Sequence, residues 1–185
     1  MSAPNEPGLS DHHLPEVALV GRSNVGKSSL LGMLLGAPSL VRTSRTPGRT
    51  QLLNLFHYGD KLAFMDLPGY GYAKLSHQER DRMARITHGY MVNRVPLKGV
   101  LLLLDARREE VSEADREMAA FMLKHDRPVL LVATKADLVP KNRRLAQQRR
   151  LEKSFGVPAG WSVMCSSKTK EGEGELWRRI HELVS

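Results

Sequence analysis

The chain has 185 residues, a hydrophobic fraction of 41% and one cysteine, Cys165. This length suits one ordinary domain with its own core, and no apolar run reaches the roughly 18 residues that a membrane-spanning helix needs. A lone cysteine excludes an intrachain disulfide framework and suits a reducing cytoplasm, and the polar first dozen residues lack the apolar centre of a signal peptide. With 28 Lys and Arg against 20 Asp and Glu, the net charge of +8 favours a polyanionic partner.

In chain order, residues 1–13 read as a flexible polar tail and residues 14–185 as one domain. Residues 17–20 predict a strand, and residues 28–36 a helix closed by Gly36 and Pro38. Residues 40–50 form a polar, basic loop. Residues 52–58 and 62–66 flank the turn dipeptide Gly59-Asp60 and predict a β-hairpin. A glycine-rich loop at 68–72 precedes a helix near 76–93. The nearly continuous apolar runs 100–105 and 129–134 predict strands buried on both faces. Residues 112–124 and 141–154 predict helices, 161–165 a last strand and 173–184 a last amphipathic helix. The alternation predicts an α/β fold in three layers: a six-stranded, mostly parallel sheet with one antiparallel edge strand and helices on both faces.

Residues 21–28, GRSNVGKS, sit between the first predicted strand and helix and match G-x-x-x-x-G-K-S/T, the phosphate-binding loop. Gly21, Arg22, Ser23, Asn24, Val25 and Gly26 supply a curled backbone whose N–H groups cradle phosphate oxygens. Lys27 reaches the β- and γ-phosphates, and Ser28 ligates Mg2+. The third strand runs into Asp66, Leu67, Pro68 and Gly69. There a carboxylate can hold Mg2+ through a water, and the Gly69 N–H can approach the γ-phosphate where a side chain would clash.

The fifth strand ends in Thr134, Lys135, Ala136 and Asp137. A carboxylate accepts the paired donors of guanine, which adenine lacks, so Asp137 would select GTP and GDP. The Lys135 stem can lie along the base, and the Thr134 hydroxyl can tie this loop to the phosphate loop. After the sixth strand, Cys165, Ser166, Ser167 and Lys168 can offer backbone N–H groups to the guanine O6. Between the first helix and second strand, a threonine can complete the Mg2+ shell only when the γ-phosphate is present, which makes that loop a switch. Thr46 and Thr50 both qualify, and spacing does not choose between them.

The runs GRSNVGKSSL, TPGRTQLLN, DLPGYGYAK and TKAD, in this order and spacing, resemble the EngB (YihA/YsxC) family of bacterial ribosome-biogenesis GTPases, within the TrmE–Era–EngA–YihA–septin group. The resemblance covers residues 14–184. It implies a P-loop G domain with Thr50 as the switch Mg2+ ligand, and Gly48, Arg49, Gln51 and Leu52 beside it at the nucleotide. It also implies a link to septation in cell division.

Catalysis would rest on Lys27, Thr50 and Gly69. In Ras-like enzymes a water-orienting glutamine follows the glycine of Asp-x-x-Gly; here that position is Tyr70, so slow turnover is expected. In relatives with the same phosphate-loop asparagine, that side chain helps hold a K+ ion, which makes Asn24 a candidate for K+ stimulation; the alternative is a loop-stabilising amide. Lys141, Arg143, Arg144, Arg149, Arg150 and Lys153 share one predicted helix; Arg80, Arg82 and Arg85 share another; Arg42, Arg45 and Arg49 lie in or beside the switch. With the resemblance, these make ribosomal RNA of the large-subunit precursor the leading partner of a monomer that needs no membrane. The rival readings are the GTPase module of a tRNA-modifying or membrane-associated enzyme, and an RNA-binding protein holding GTP as a structural ligand.

Overall fold

The computed structural model describes residues 12–37, 53–70 and 76–185. Strands β1 (Glu16–Gly21), β2 (Asn54–Tyr58), β3 (Leu62–Asp66), β4 (Leu97–Asp105), β5 (Val129–Thr134) and β6 (Ser162–Met164) form one sheet in the order β2-β3-β1-β4-β5-β6. β2 pairs antiparallel with β3, and the remaining pairs are parallel. The helices are α1 (Lys27–Leu34), α2 (His77–Asn93), α3 (Glu113–Lys124), α4 (Lys141–Ser154) and α5 (Glu173–Val184).

Side chains alternate across a strand, so each buried strand feeds two cores. Ala18, Val20, Val100, Leu102, Leu104, Leu131 and Ala133 face one side, where Met91 of α2, Met122 of α3 and Leu151 of α4 cover them. Val17, Leu19, Leu101, Leu103, Leu130 and Val132 face the other, under Leu30, Leu31 and Leu34 of α1 and Leu176 and Ile180 of α5. This double burial explains why the β4 and β5 runs carry no polar alternation. The sheet therefore matches the expected three-layer architecture, antiparallel edge included.

Strand bounds differ from the sequence expectation at several ends, and in β4 and β6 the physical cause is plain. β4 starts at Leu97, three residues early, because Lys98 and Gly99 interrupt the apolar run while continuing the strand. A Cβ on Gly99 would lie 3.1 Å from Leu183 Cδ2, so the bare glycine admits α5 onto the sheet. β6 is shorter than expected: Trp161 is 53% exposed, and its N–H closes a turn onto Pro158 O instead of a ladder.

At the amino ends of the strands, away from the site, Glu16 is wholly buried. Its Oε1 accepts from Arg94 Nε at 2.9 Å, and its other oxygen takes the Tyr90 hydroxyl. Arg127 donates to Met91 O at 2.6 Å and Val92 O at 2.9 Å, so the carboxyl end of α2 is pinned from two sides. In contrast, residues 77–86 of α2 bury no side chain. Replacing Glu16 removes the buried carboxylate that Arg94 and Tyr90 share. Glu16→Ala should lower the unfolding free energy in urea by about 3–5 kcal/mol, and a loss below about 1 kcal/mol would contradict this role.

Candidate functional site

β1 is the point where the sheet order reverses, with β3 on one side and β4 on the other. A crevice at such a reversal, outside the carboxyl ends of the strands, is the ordinary ligand position of an open α/β sheet. Residues 21–26 leave β1 there and turn into α1. Gly26 caps α1 with φ 109° and ψ 18°, a left-handed conformation with little cost only for glycine, and Asn24 also has a positive φ of 63°. Left-handed residues inside a tight loop turn successive N–H groups toward a common centre, which is how such loops bind anions.

Neighbouring segments hold this loop mainly by its carbonyls. On the β3 side, Ser23 N donates to Tyr70 O at 3.0 Å and Tyr70 N donates to Gly21 O at 3.3 Å. On the β5 side, the Thr134 hydroxyl lies 2.6 Å from Val25 O and 3.0 Å from Leu104 O, which share its single proton. The expected tie from Thr134 to the phosphate loop is thus present. Lys135, with φ 60°, sends its Nζ to Asn24 O at 2.7 Å and to Asp105 Oδ2 at 2.9 Å. Asp105 also receives Arg107 Nη2 at 2.6 Å. Burial works to raise the Asp105 carboxyl, but hydrogen bonds from Arg107 and Lys135 outweigh it and hold the group well below the usual carboxylate range.

Lys27 and Asp66 sit together in the crevice. Burial lowers the Lys27 ammonium and raises the Asp66 carboxyl from their ordinary values, while each charge partly restrains the other's shift. Asp66 Oδ1 is buried with no hydrogen-bond partner among the described residues. An orphaned carboxylate oxygen beside a buried ammonium is a hard-oxygen donor that fits Mg2+ or a water on it. Gly69 is equally close to the loop: a Cβ there would lie 3.2 Å from Ser23 N and 3.3 Å from Lys27 Nζ. Its bare backbone is what permits that approach.

The base loop is built around Ser166. Its buried hydroxyl donates to Asp137 Oδ1 at 2.7 Å and accepts the N–H groups of Lys168 and Thr169, each at 3.2 Å. Three of the four expected backbone donors are already engaged. Cys165 N donates to Ala133 O at 2.9 Å, Ser166 N to Glu171 O at 3.0 Å and Lys168 N to the Ser166 hydroxyl, which leaves the Ser167 N–H as the donor still open among the described residues. Burial pushes the Cys165 thiol up to about 12, so it serves as filler rather than as a reactive group.

Val25, Leu67 and Ala136 are buried, so toward a ligand they can offer backbone only, whereas Arg22, Ser23, Ser28 and Pro68 are half-buried and Asn24 is exposed. Gly48, Arg49, Thr50, Gln51 and Leu52, with Thr46, Arg42 and Arg45, lie outside the described residues. Among the basic helices, Arg80, Arg82, Arg85, Lys141, Arg143, Arg149, Arg150 and Lys153 are exposed. Arg144 is not part of that free surface, because it pairs with Glu171 and donates to Val139 O at 2.9 Å.

Neither Asp105 nor Asp115 stands in a recognisable motif, so sequence reasoning passes over both. Asp115 accepts the Tyr70 hydroxyl at 2.6 Å, and burial together with this bond raises the phenol well above its ordinary range. The position after Gly69 thus points its polar end at α3.

Residues 16–135 match the family described as 50S ribosome-binding GTPase. The chain is 46% identical over 184 residues to a probable GTP-binding protein EngB of Desulfatibacillum aliphaticivorans, covering 99% of this chain and 89% of that protein. The chain belongs to the EngB family of GTP-binding proteins. An EngB protein of Streptococcus pneumoniae is 40% identical, with 98% of this chain and 93% of that protein covered. Among solved structures, a probable GTP-binding protein engB superposes with a TM-score of 0.75 at 24% identity, covering 91% of this chain and 98% of that one. Aquifex aeolicus Era bound to GDP.AlF4- superposes with a TM-score of 0.71 at 24% identity, over 93% of this chain and 57% of that one. At that identity the two structures speak for the fold, a P-loop GTPase fold, and the EngB sequence relatives speak for the family.

Proposed function

We propose that the chain is a cytoplasmic, monomeric, Mg2+-dependent GTP switch, a single G domain over residues 14–185. It hydrolyses GTP to GDP and phosphate and docks in its GTP state on the maturing large ribosomal subunit. The observation that carries this reading is the Asp137 loop, whose carboxylate is held by Ser166 on the same rim as the phosphate loop. Thr134 and Lys135 lock the two loops together. A base-selecting carboxylate and a phosphate cradle at fixed separation read a whole guanine nucleotide. The match to a family described as 50S ribosome-binding supports the large subunit as partner. The exposed arginines and lysines of α2 and α4 suit backbone contacts to ribosomal RNA. The family resemblance ties the switch to normal septation.

In this reading Lys27 and the loop N–H groups neutralise the transferring phosphoryl charge, and the Gly69 N–H meets the γ-phosphate. Ser28, Thr50 and Asp66 would hold Mg2+, which would supply charge neutralisation and alignment of the phosphates. Loss of the γ-phosphate frees the Thr50 and Gly69 loops, which is the switch. The Tyr70 hydroxyl is engaged by Asp115, so no side chain at that position polarises the attacking water. Intrinsic turnover should therefore lie well below about one per second and rise with an activating partner.

Asp137→Asn removes one acceptor of the guanine donor pair. It should weaken GTP binding by about 10–100-fold and narrow the preference for GTP over ATP in titration calorimetry; an unchanged preference would sink the assignment. Asn24 carries an exposed side chain, while its carbonyl is fixed by Lys135. Turnover in KCl should exceed turnover in NaCl for the wild type, and Asn24→Ala should erase the difference. Equal wild-type rates in both salts would remove the K+ role and leave Asn24 as a loop-stabilising amide.

A further inference from the structure

Tyr70 joins three parts of the molecule. Its backbone bridges to Arg22 of the phosphate loop, with hydrogen bonds to Ser23 and Gly21 on either side. Its ring packs on the core beneath α3, in company with Met118 and Phe121. Its hydroxyl donates to Asp115 Oδ1 at 2.6 Å.

Asp115 is only 4% exposed and lies in the first turn of α3, where its Oδ2 takes the Ser112 hydroxyl at 2.7 Å and the Ser112 N–H at 3.3 Å. That pairing completes a capping box, so the carboxylate is held on a rigid helix end. Tyr70 is the partner of Oδ1 among the described residues. A nearly buried carboxylate oxygen is costly to leave unpaired, so Asp115 biases Tyr70 toward this one position.

We propose that Asp115 is a positioning residue for GTP hydrolysis. By clasping the Tyr70 hydroxyl it keeps the Gly69–Tyr70 peptide seated on the phosphate loop, with the Gly69 N–H set for the γ-phosphate and the Tyr70 ring turned to α3. Tyr70 thereby has a use in place of water orientation: it anchors its segment to a fixed helix. The inference rests on the GTPase reading above. A consequence is that α3 senses the nucleotide, since release of the Gly69 segment must break or shift the clasp.

The test uses the full chain with Mg2+ and compares GDP binding, GDP·AlF4− binding and steady-state hydrolysis. Tyr70→Phe removes the hydroxyl alone. It should leave GDP affinity and KM within about twofold, while kcat and GDP·AlF4− affinity fall about tenfold. Asp115→Asn, with one oxygen in place of two, should shift both quantities in the same direction by less. Glu16→Ala, at the amino ends of the strands and away from the clasp, should lower the melting temperature with kcat unchanged.

Wild-type kcat in both Tyr70→Phe and Asp115→Asn would overturn the inference alone. So would equal weakening of GDP and GDP·AlF4−, which is the mark of simple structural damage. A wild-type chain without GTP turnover would overturn the underlying reading as well.

Discussion

The phosphate loop is gripped by three of its carbonyls, and the site follows from that constraint. Val25 O takes the Thr134 hydroxyl, Asn24 O takes the Lys135 ammonium, and Gly21 O takes the Tyr70 N–H. With these carbonyls engaged by neighbouring segments, left-handed turns at Asn24 and Gly26 give the loop the curled backbone by which such loops bind anions. The same contacts fix the spacing between the loop and its two neighbours. One is the Asp137 loop after β5. The other is the Gly69 segment after β3. Positioning is most of what a phosphoryl-transfer protein must supply, so a rigid loop with two attached readers is a sufficient design.

The buried charges fit the same picture. Lys27 and Asp66 are each shifted toward neutrality by burial and each leans on the other. Asp66 Oδ1, with no hydrogen-bond partner among the described residues, is the oxygen that fits Mg2+ or a water on it. Asp105 is the contrasting case, a carboxylate kept ionised by two cations so that Lys135 stays on the phosphate loop.

Much of this was legible in the sequence, for physical reasons. The fold shows because strands buried on both faces need continuous apolar runs, as in residues 100–105 and 129–134. The phosphate loop shows because its backbone turns demand small or left-handed-tolerant residues at fixed spacing. What the sequence hid depends on contacts between distant residues. The Tyr70–Asp115 bond spans 45 positions and the Lys135–Asn24 bond 111. Gly99 interrupts the apolar run of β4, and its physical reason, the close approach of Leu183 from α5, is a contact between distant residues. Ser166 was expected to act through its N–H, yet the local turn consumes that donor and leaves the hydroxyl to hold Asp137. A linear pattern reports residue types and spacing, and it does not report which donors neighbouring turns have already used.

The central claim is that the nucleotide state controls docking on the maturing large ribosomal subunit. The most direct measurement is co-sedimentation of the purified chain with large-subunit precursors under three conditions: a non-hydrolysable GTP analogue, GDP and no nucleotide. The account predicts strong association with the analogue, little with GDP or without nucleotide, and a steep fall with added salt from the basic faces of α2 and α4. Equal association in all three conditions would contradict it.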